Sequence, residues 1–258
     1  MMSRPWKFVL FFLLFLILAL LVNLPVQQVI ARVDLPASLR LSGISGTLFN
    51  GRVDLLTVNQ FPLRDIRYSF MPSCLPILKL CYQIDYDQGS FQMAYDVVNG
   101  DSEISDSRVE YPVAELLARF PATLAVKPSG SLQLEIDEMS MRENKLEAVN
   151  GRLVWRDLGV NQGEVQINIG DYQVDFSGDN QKYELKFSDL DAKLDVSGDG
   201  RITADGQYQV DVRVDSESTI DSQVRTVLEL IGKRSSVNKY RIEQQGRLAP
   251  TITRQLFP

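Results

Sequence analysis

The chain has 258 residues, 33 acidic against 27 basic and a net charge of −6, which is enough for one large domain or two small ones. It contains no histidine, which excludes Ser-His-Asp and Cys-His nucleophile systems and every His-ligated zinc, copper or haem site, and leaves carboxylate-only hydrolysis and calcium to be weighed. The acidic balance also argues against a nucleic-acid partner, which needs a basic surface.

Arg4 and Lys7 precede fifteen uninterrupted apolar residues, 8–22, and no further charge occurs before Arg32. A helix of about 20 residues spans a bilayer core of roughly 30 Å, so this segment is predicted to be a transmembrane anchor. The two cations on its near side place the N-terminus in the cytoplasm and send the rest across the membrane. The alternative is a signal peptide cleaved after Ala31, where Val29-Ile30-Ala31 offers small residues. The apolar run is at the upper limit for such a peptide, and the distance to Ala31 is long, so the retained anchor is preferred. The expected organisation is therefore residues 1–31 as cytoplasmic N-terminus and anchor, and 32–258 as a periplasmic β domain of a single-pass inner-membrane protein. Beyond Lys7 lie 25 of the 27 basic and all 33 acidic residues, a formal −8, which an anionic membrane surface would repel except where the anchor holds it.

Cys74 and Cys81 are the two cysteines. On an exported chain they suggest a disulfide closing a short loop, and two buried free thiols are the alternative. A metal site needs more ligands than this pair, and a redox Cys-x-x-Cys would be closer spaced. The segment 72–80 could form a short helical turn, weakened by Pro76. A short helix is expected over 112–120, with Pro112 in its first turn and Pro121 stopping it.

After the apolar N-terminal segment the dominant period is two. Leu132, Leu134 and Ile136 alternate with polar residues as one half-buried strand. Val165, Ile167 and Ile169 lead to Gly170-Asp171 and then Tyr172, Val174 and Phe176, which predicts a hairpin with a two-residue turn. Gly178-Asp179-Asn180 turns again before Tyr183, Leu185 and Phe187. Leu190, Ala192, Leu194 and Val196 form a strand ended by Gly198-Asp199-Gly200, and a last strand runs through Ile202, Ala204, Tyr208, Val210, Val212 and Val214. A second helix is expected over 222–231, with Val224, Val227, Leu228 and Ile231 on one face and Gly232 as its C-cap. The helices read as lids on an open sheet rather than partner-binding elements. The sheet itself should be a long, curved, meandering antiparallel one, apolar on one face and wet on the other.

Two carboxylate pairs, Asp85 with Asp87 and Glu135 with Asp137, each share one face of a strand. A glycosidase needs two carboxylates about 5–10 Å apart across a pocket, one of them desolvated. Alternation places these acids on the wet face, so a solvated surface is expected. The segment 195–200 has the opening cadence of a calcium loop, but its twelfth position is Gly206 rather than glutamate, so it is read as a β-turn. Trp155, in step with Leu153, is read as a core aromatic. A glycine followed by alternating apolar residues recurs at Gly43, Gly51, Gly130, Gly151 and Gly200, each read as a strand start. No catalytic, cofactor or metal residue is assigned, and the chain is read as a non-enzyme.

The apolar N-terminus followed by Ser42-Gly-Ile-Ser-Gly-Thr-Leu-Phe-Asn-Gly51 resembles the type II secretion system protein N family. So do Ile66-Arg-Tyr-Ser-Phe-Met-Pro72, Gly151-Arg-Leu-Val-Trp155, Leu228-Glu-Leu-Ile-Gly232 and Tyr240-Arg-Ile-Glu-Gln-Gln-Gly246. Phe49 departs from the tryptophan that the family often carries there. The resemblance implies an inner-membrane accessory component of the machinery that exports folded proteins, with no catalytic residue to carry over. That family is in turn similar to AsmA-like proteins, whose curved sheets form apolar grooves. The expectation is a scaffold that contacts other inner-membrane secretion components; the alternative is a lipid-binding or lipid-transfer module.

Overall fold

The computed structural model describes residues 8–13, 15, 16, 20, 23–32, 39–58, 61–119, 127–142, 145–162, 165–179, 182–216, 220 and 222–248. Strand alternation accounts for nearly all of it: every strand ladder described is antiparallel, and up to residue 215 each strand neighbours its predecessor, the arrangement that short connections allow. The chain divides into two units, Met1–Ala94 and Tyr95–Pro258.

The first unit holds the short helix α1 (Val26–Ile30) and strands β1 (Leu39–Gly46), β2 (Asn50–Val58), β3 (Phe61–Met71) and β4 (Lys79–Tyr86), with a 3-10 helix at Pro72–Ile77. β5 (Gly89–Asp96) begins in it. Val26, Val53 and Ile66 are buried here, so α1 belongs to the packing of this unit. Its Gln27 Nε2 donates to the Ile44 carbonyl at 2.5 Å, and Pro25 forms an isolated bridge with Thr47.

The second unit contains β6 (Ser102–Pro112), helix α2 (Val113–Arg119), β7 (Lys127–Arg142), β8 (Lys145–Gln162), β9 (Val165–Asp179), β10 (Lys182–Ala192), β11 (Asp195–Thr203), β12 (Gln207–Asp215), helix α3 (Ser222–Ile231), β13 (Lys233–Ser236) and β14 (Lys239–Arg247). Among the described residues, sheet order follows chain order except that β14 lies between β12 and β13. The result is a long, open antiparallel sheet with few helices. Helix α3 covers an apolar patch of this unit: Ile220, Val224 and Leu228 pack with Leu194, Val212, Val214 and Tyr240, and Phe187, Val196, Val210 and Ile242 surround them. Each such buried aliphatic contributes about 1.5–3 kcal/mol before entropy is counted. The helix over 222–231 is thus found where its apolar spacing placed it, lying over its own sheet, although Ile231 is exposed.

Four expectations are not met as read from the sequence, the first of them unshown rather than overturned. The N-terminal transmembrane helix is not found: among the described residues no helix is long and apolar enough to cross a membrane. Residues 8–13, 15, 16 and 20 are helical and exposed, while 1–7, 14, 17–19, 21 and 22 lie outside the described residues. The hairpin expected at Gly170-Asp171 is instead a bulge inside the single strand β9, where the register shifts against both neighbours. Gly170 has φ +125°, and a Cβ there would lie 2.4 Å from the Ala192 Cα. Beside it, the Asp171 carboxylate accepts from the Asp157 backbone N–H (2.8 Å) and Arg156 Nη1 (2.9 Å).

The third correction is the turn read at 195–200. This segment lies within β11, which pairs on both sides, and a Cβ on Gly198 would meet the Asp211 carbonyl at 2.4 Å. The strand read through Ile202 to Val214 is two strands joined by a turn at Asp205-Gly206. There Thr203 Oγ1 (2.6 Å) and Gln207 Nε2 (2.7 Å) both donate to the Asp205 carboxylate.

The fourth concerns the recurrent glycines: Gly51 stands at the start of β2 as read, but Gly43, Gly130, Gly151 and Gly200 stand further inside their strands. Two of them, and two further strand glycines, sit directly opposite an aromatic residue in the register: Gly51 and Tyr68, Gly151 and Phe176, Gly178 and Tyr183, Gly246 and Tyr208. A Cβ at Gly178 would fall 2.4 Å from the Tyr183 ring, so the ring lies over the glycine backbone where no other residue would fit.

Candidate interaction surfaces

In the first unit, Tyr82, Ile84 and Tyr86 alternate with Gln83 and Asp85, so strand pleating puts the first three on one face. With Leu56, Leu63, Ile66, Tyr68 and Phe91 they line an apolar trough of about 310 Å³, closed along one side by Val26 and Ile30 of α1. Burial pushes the Tyr68 and Tyr82 hydroxyls above the ordinary phenol range, and Tyr82 adds to the effect on Tyr68. Tyr68 donates to the Thr47 carbonyl at 2.7 Å. The alternation in 82–86 is the sequence signal that marks this trough, and the strands named from the sequence, the first at Leu132, did not include it.

The same unit carries an outer strand. On the side of β1 away from β2, the described contacts are the Pro25–Thr47 bridge and the Gln27 bond to Ile44, both toward its C-terminal end. β13, at the outside of the second unit's strand order, is four exposed residues long and includes Lys233 and Arg234, two features that discourage strand addition. β1 is eight residues long, with Leu39, Leu41 and Ile44 half-buried and Arg40 and Ser42 exposed.

The polar face of the second unit is a ladder of charges. Arg108, Glu135, Arg152, Asp175, Lys186 and Asp199 stand directly opposite one another on successive strands from β6 to β11. Arg108 Nη2 reaches Glu135 at 2.7 Å, and Arg152 lies between Glu135 (3.8 Å) and Asp175 (4.0 Å). Alternation fails where Asp199 faces Asp211 and Asp211 faces Glu243. Arg241 restores the balance, donating to both Asp211 oxygens at 2.9 and 2.6 Å and lying 3.1 Å from Glu243. Its hydrogen bonds hold the Asp211 carboxyl below the usual carboxylate range. A polar depression of about 570 Å³ runs over Asp175, Lys186, Asp199, Arg201 and Asp211.

The carboxylates weighed for hydrolysis fall apart on this surface. Asp85 and Asp87 are exposed in the first unit, with Asp85 accepting from Gln83 Nε2 at 3.3 Å. Glu135 is engaged by two arginines, and Asp137 is an exposed bulge residue between the paired Ile136 and Glu138. Neither pair brings a desolvated acid to a pocket. Asp195 and Asp199 project from a strand, and among the described residues no three metal-ligating side chains converge. Trp155 is half-buried in β8 with its Nε1 donating to the Ser129 carbonyl at 3.0 Å. Cys74 and Cys81 are joined by a disulfide, with Cα atoms 6.0 Å apart.

These features define an open-sheet protein whose described surfaces are an outer strand, an apolar trough and a salt-bridged face, and among the described residues no arrangement points to catalysis. The chain belongs to the type II secretion system protein N family, whose model matches residues 37–243. It is similar to type II secretion system protein N of Vibrio cholerae serotype O1, 22% identical over 96% of this chain and 100% of that protein. The protein of the same name from Aeromonas hydrophila is 23% identical over 89% and 93% of the two chains, and that from Pectobacterium carotovorum subsp. carotovorum 18% over 86% and 89%. No solved structure matches the chain. The chain is thus a component of a type II secretion system.

Proposed function

We propose that this component is a scaffold anchored in the inner membrane by residues 8–22, with residues 32–258 as its periplasmic part. It acts by contact with other inner-membrane components of the secretion system. The observation that carries the reading is β1: an eight-residue outer strand with exposed Arg40 and Ser42, free of the charge crowding that protects β13. A partner strand added there would bond the backbone of 39–43 and set its alternate side chains beside Leu39 and Leu41. Family membership supports the setting, and the exposed apolar helical residues at 8–13 support the anchor. The test is a photo-crosslinking amino acid at Arg40 or Ser42 in intact envelopes. Adducts with another secretion component are expected, and their absence at both positions, with adducts elsewhere, would overturn the strand-addition role.

A second reading, lipid binding in the manner of AsmA-like grooves, is favoured by one observation: the trough in the first unit is lined by apolar and aromatic side chains. Its volume is at the small end for ligand sites. Native mass spectrometry of gently purified protein would show a co-purifying lipid, and its loss on Ile84→Arg would place it in the trough.

A further inference from the structure

One end of the first unit gathers the β1–β2 turn at 47–49 and the connection between β3 and β4. Thr47 is tied from three sides: by the bridge to Pro25, by the Tyr68 hydroxyl, and by its own Oγ1, which accepts from the Phe49 and Asn50 N–H groups. The Phe70 N–H donates to the Phe49 carbonyl at 2.6 Å. The rings of Phe49 and Phe70 are 5.0 Å apart, and those of Phe70 and Tyr82 are 5.5 Å apart. On this aromatic footing stands the 3-10 helix Pro72–Ile77.

That helix and its C-cap residue present Leu75, Ile77 and Leu78 to solvent at 48, 64 and 60% exposure. The loop is built to keep them there. The Cys74–Cys81 disulfide ties it across its base, Cys81 being buried, and Pro72 and Pro76 stiffen it. Leu78 sits in the left-handed region at φ +58°, a conformation that side chains other than glycine adopt only when their surroundings impose it.

Two facts name what covers the loop. Only Asn23 and Leu24 separate the apolar run 8–22 from Pro25, a chain reach of at most about 11 Å, and Pro25 is bridged to this same end of the sheet. In an acidic chain, the stretch 68–84 holds no carboxylate and a single charge, Lys79. We infer that the loop 72–78 is a second membrane contact, inserting Leu75, Ile77 and Leu78 into the headgroup region of the bilayer that holds the anchor. Aliphatic side chains at the tip, tyrosines behind them and a lysine at the base match the chemistry of an anionic lipid interface. The inference rests on the anchoring reading above. Its consequence is orientation: two points of attachment fix how the first unit stands on the membrane, where one helix alone would let it swivel.

The test uses full-length protein in vesicles of phosphatidylethanolamine and phosphatidylglycerol brominated near the top of the acyl chains. The background is Trp6→Phe with Trp155→Phe. Ile77→Trp reports the loop, Phe11→Trp the anchor, and Val237→Trp, at an exposed position of the second unit, the aqueous baseline. Ile77→Trp is expected to lose about half its emission, as a side chain a few ångströms below the headgroups should, while Val237→Trp is unchanged. Quenching of Phe11→Trp with Ile77→Trp at the baseline overturns the loop contact and leaves the anchor standing. Baseline emission at both positions overturns both. Quenching at Ile77→Trp alone overturns the anchor and with it the two-point attachment, leaving the loop as a lone membrane contact. Leu75→Trp replaces Ile77→Trp if that variant does not fold. Capture of a protein by a crosslinker at position 77, with no lipid quenching, assigns the loop to that partner and overturns the bilayer contact.

Discussion

Leu228→Ala tests whether α3 is part of the second unit's core or a detachable helix awaiting a partner. Leu228 is 6% exposed and packs in a cluster with Val212, Val214 and Tyr240, the last only 2% exposed. The substitution removes three carbons; at about 0.8 kcal/mol each the transfer loss is about 2.4 kcal/mol, and incomplete collapse of the cavity raises it to about 3 kcal/mol. Leu230→Ala, on the opposite side of the same helix at 83% exposure, should cost less than about 0.5 kcal/mol. Urea unfolding of the full chain in mild detergent, followed by Trp155 emission in a Trp6→Phe background, reads this unit directly, because Trp155 belongs to β8. A large midpoint shift is expected for Leu228→Ala alone. If the two variants unfold together with the parent, the helix does not contribute to the core, and the argument from burial fails.

Asp171 stands below the usual carboxylate range, chiefly through its bond from the Asp157 N–H and then through Arg156. A lowered folded pKa means stabilisation that is present above the ordinary Asp value of 3.8 and is lost as pH falls through the folded one. Asp171→Asn should lower stability by about 1 kcal/mol at neutral pH and flatten the decline in the acid limb of a thermal-melt series. Tyr172 has the opposite sign: burial pushes its hydroxyl up to about 12. Its contribution is complete below 10 and is lost as pH rises from 10 to 12, so Tyr172→Phe should melt less steeply with pH across that alkaline window. Replacing Cys74 and Cys81 by alanine opens a short loop and should cost at most about 2–3 kcal/mol, seen as faster proteolysis within 72–78. Gly178→Ala drives a methyl into the Tyr183 ring and should destabilise the β9–β10 hairpin by about 1–3 kcal/mol, while Gly178→Ala with Tyr183→Ala recovers part of the loss in a double-mutant cycle.

Several elements were legible because their cause is local. The alternation through Leu132, Leu134 and Ile136 follows from the two-residue period of a strand and reappears in β7. The spacing of Val224 and Leu228 follows from the helical period and reappears as the buried side of α3. The aspartates read as a wet face do line one, but that reading did not extend to their partners. The sign alternation along Arg152, Asp175, Lys186 and Asp199 belongs to four different strands and becomes a ladder only through their register.

Sequence by itself determined the β class, the acidic polar face and the helix over 222–231, because side-chain direction along a strand or helix depends only on the backbone a few residues away. What each glycine does was decided by tertiary structure. Gly170 and Gly206 both interrupt alternating runs and both have positive φ, yet the first is a bulge in mid-strand and the second closes a hairpin. The difference is the neighbouring strand: Ala192 pressed against Gly170 leaves the chain no room to turn and a partner to stay with. The trough and the outer strand were decided there too. The trough is completed by α1, whose Gln27 bonds Ile44 and whose preceding Pro25 bridges Thr47, and the outer strand is set by the strand order; no local pattern in residues 25–30 specifies which backbone they will meet.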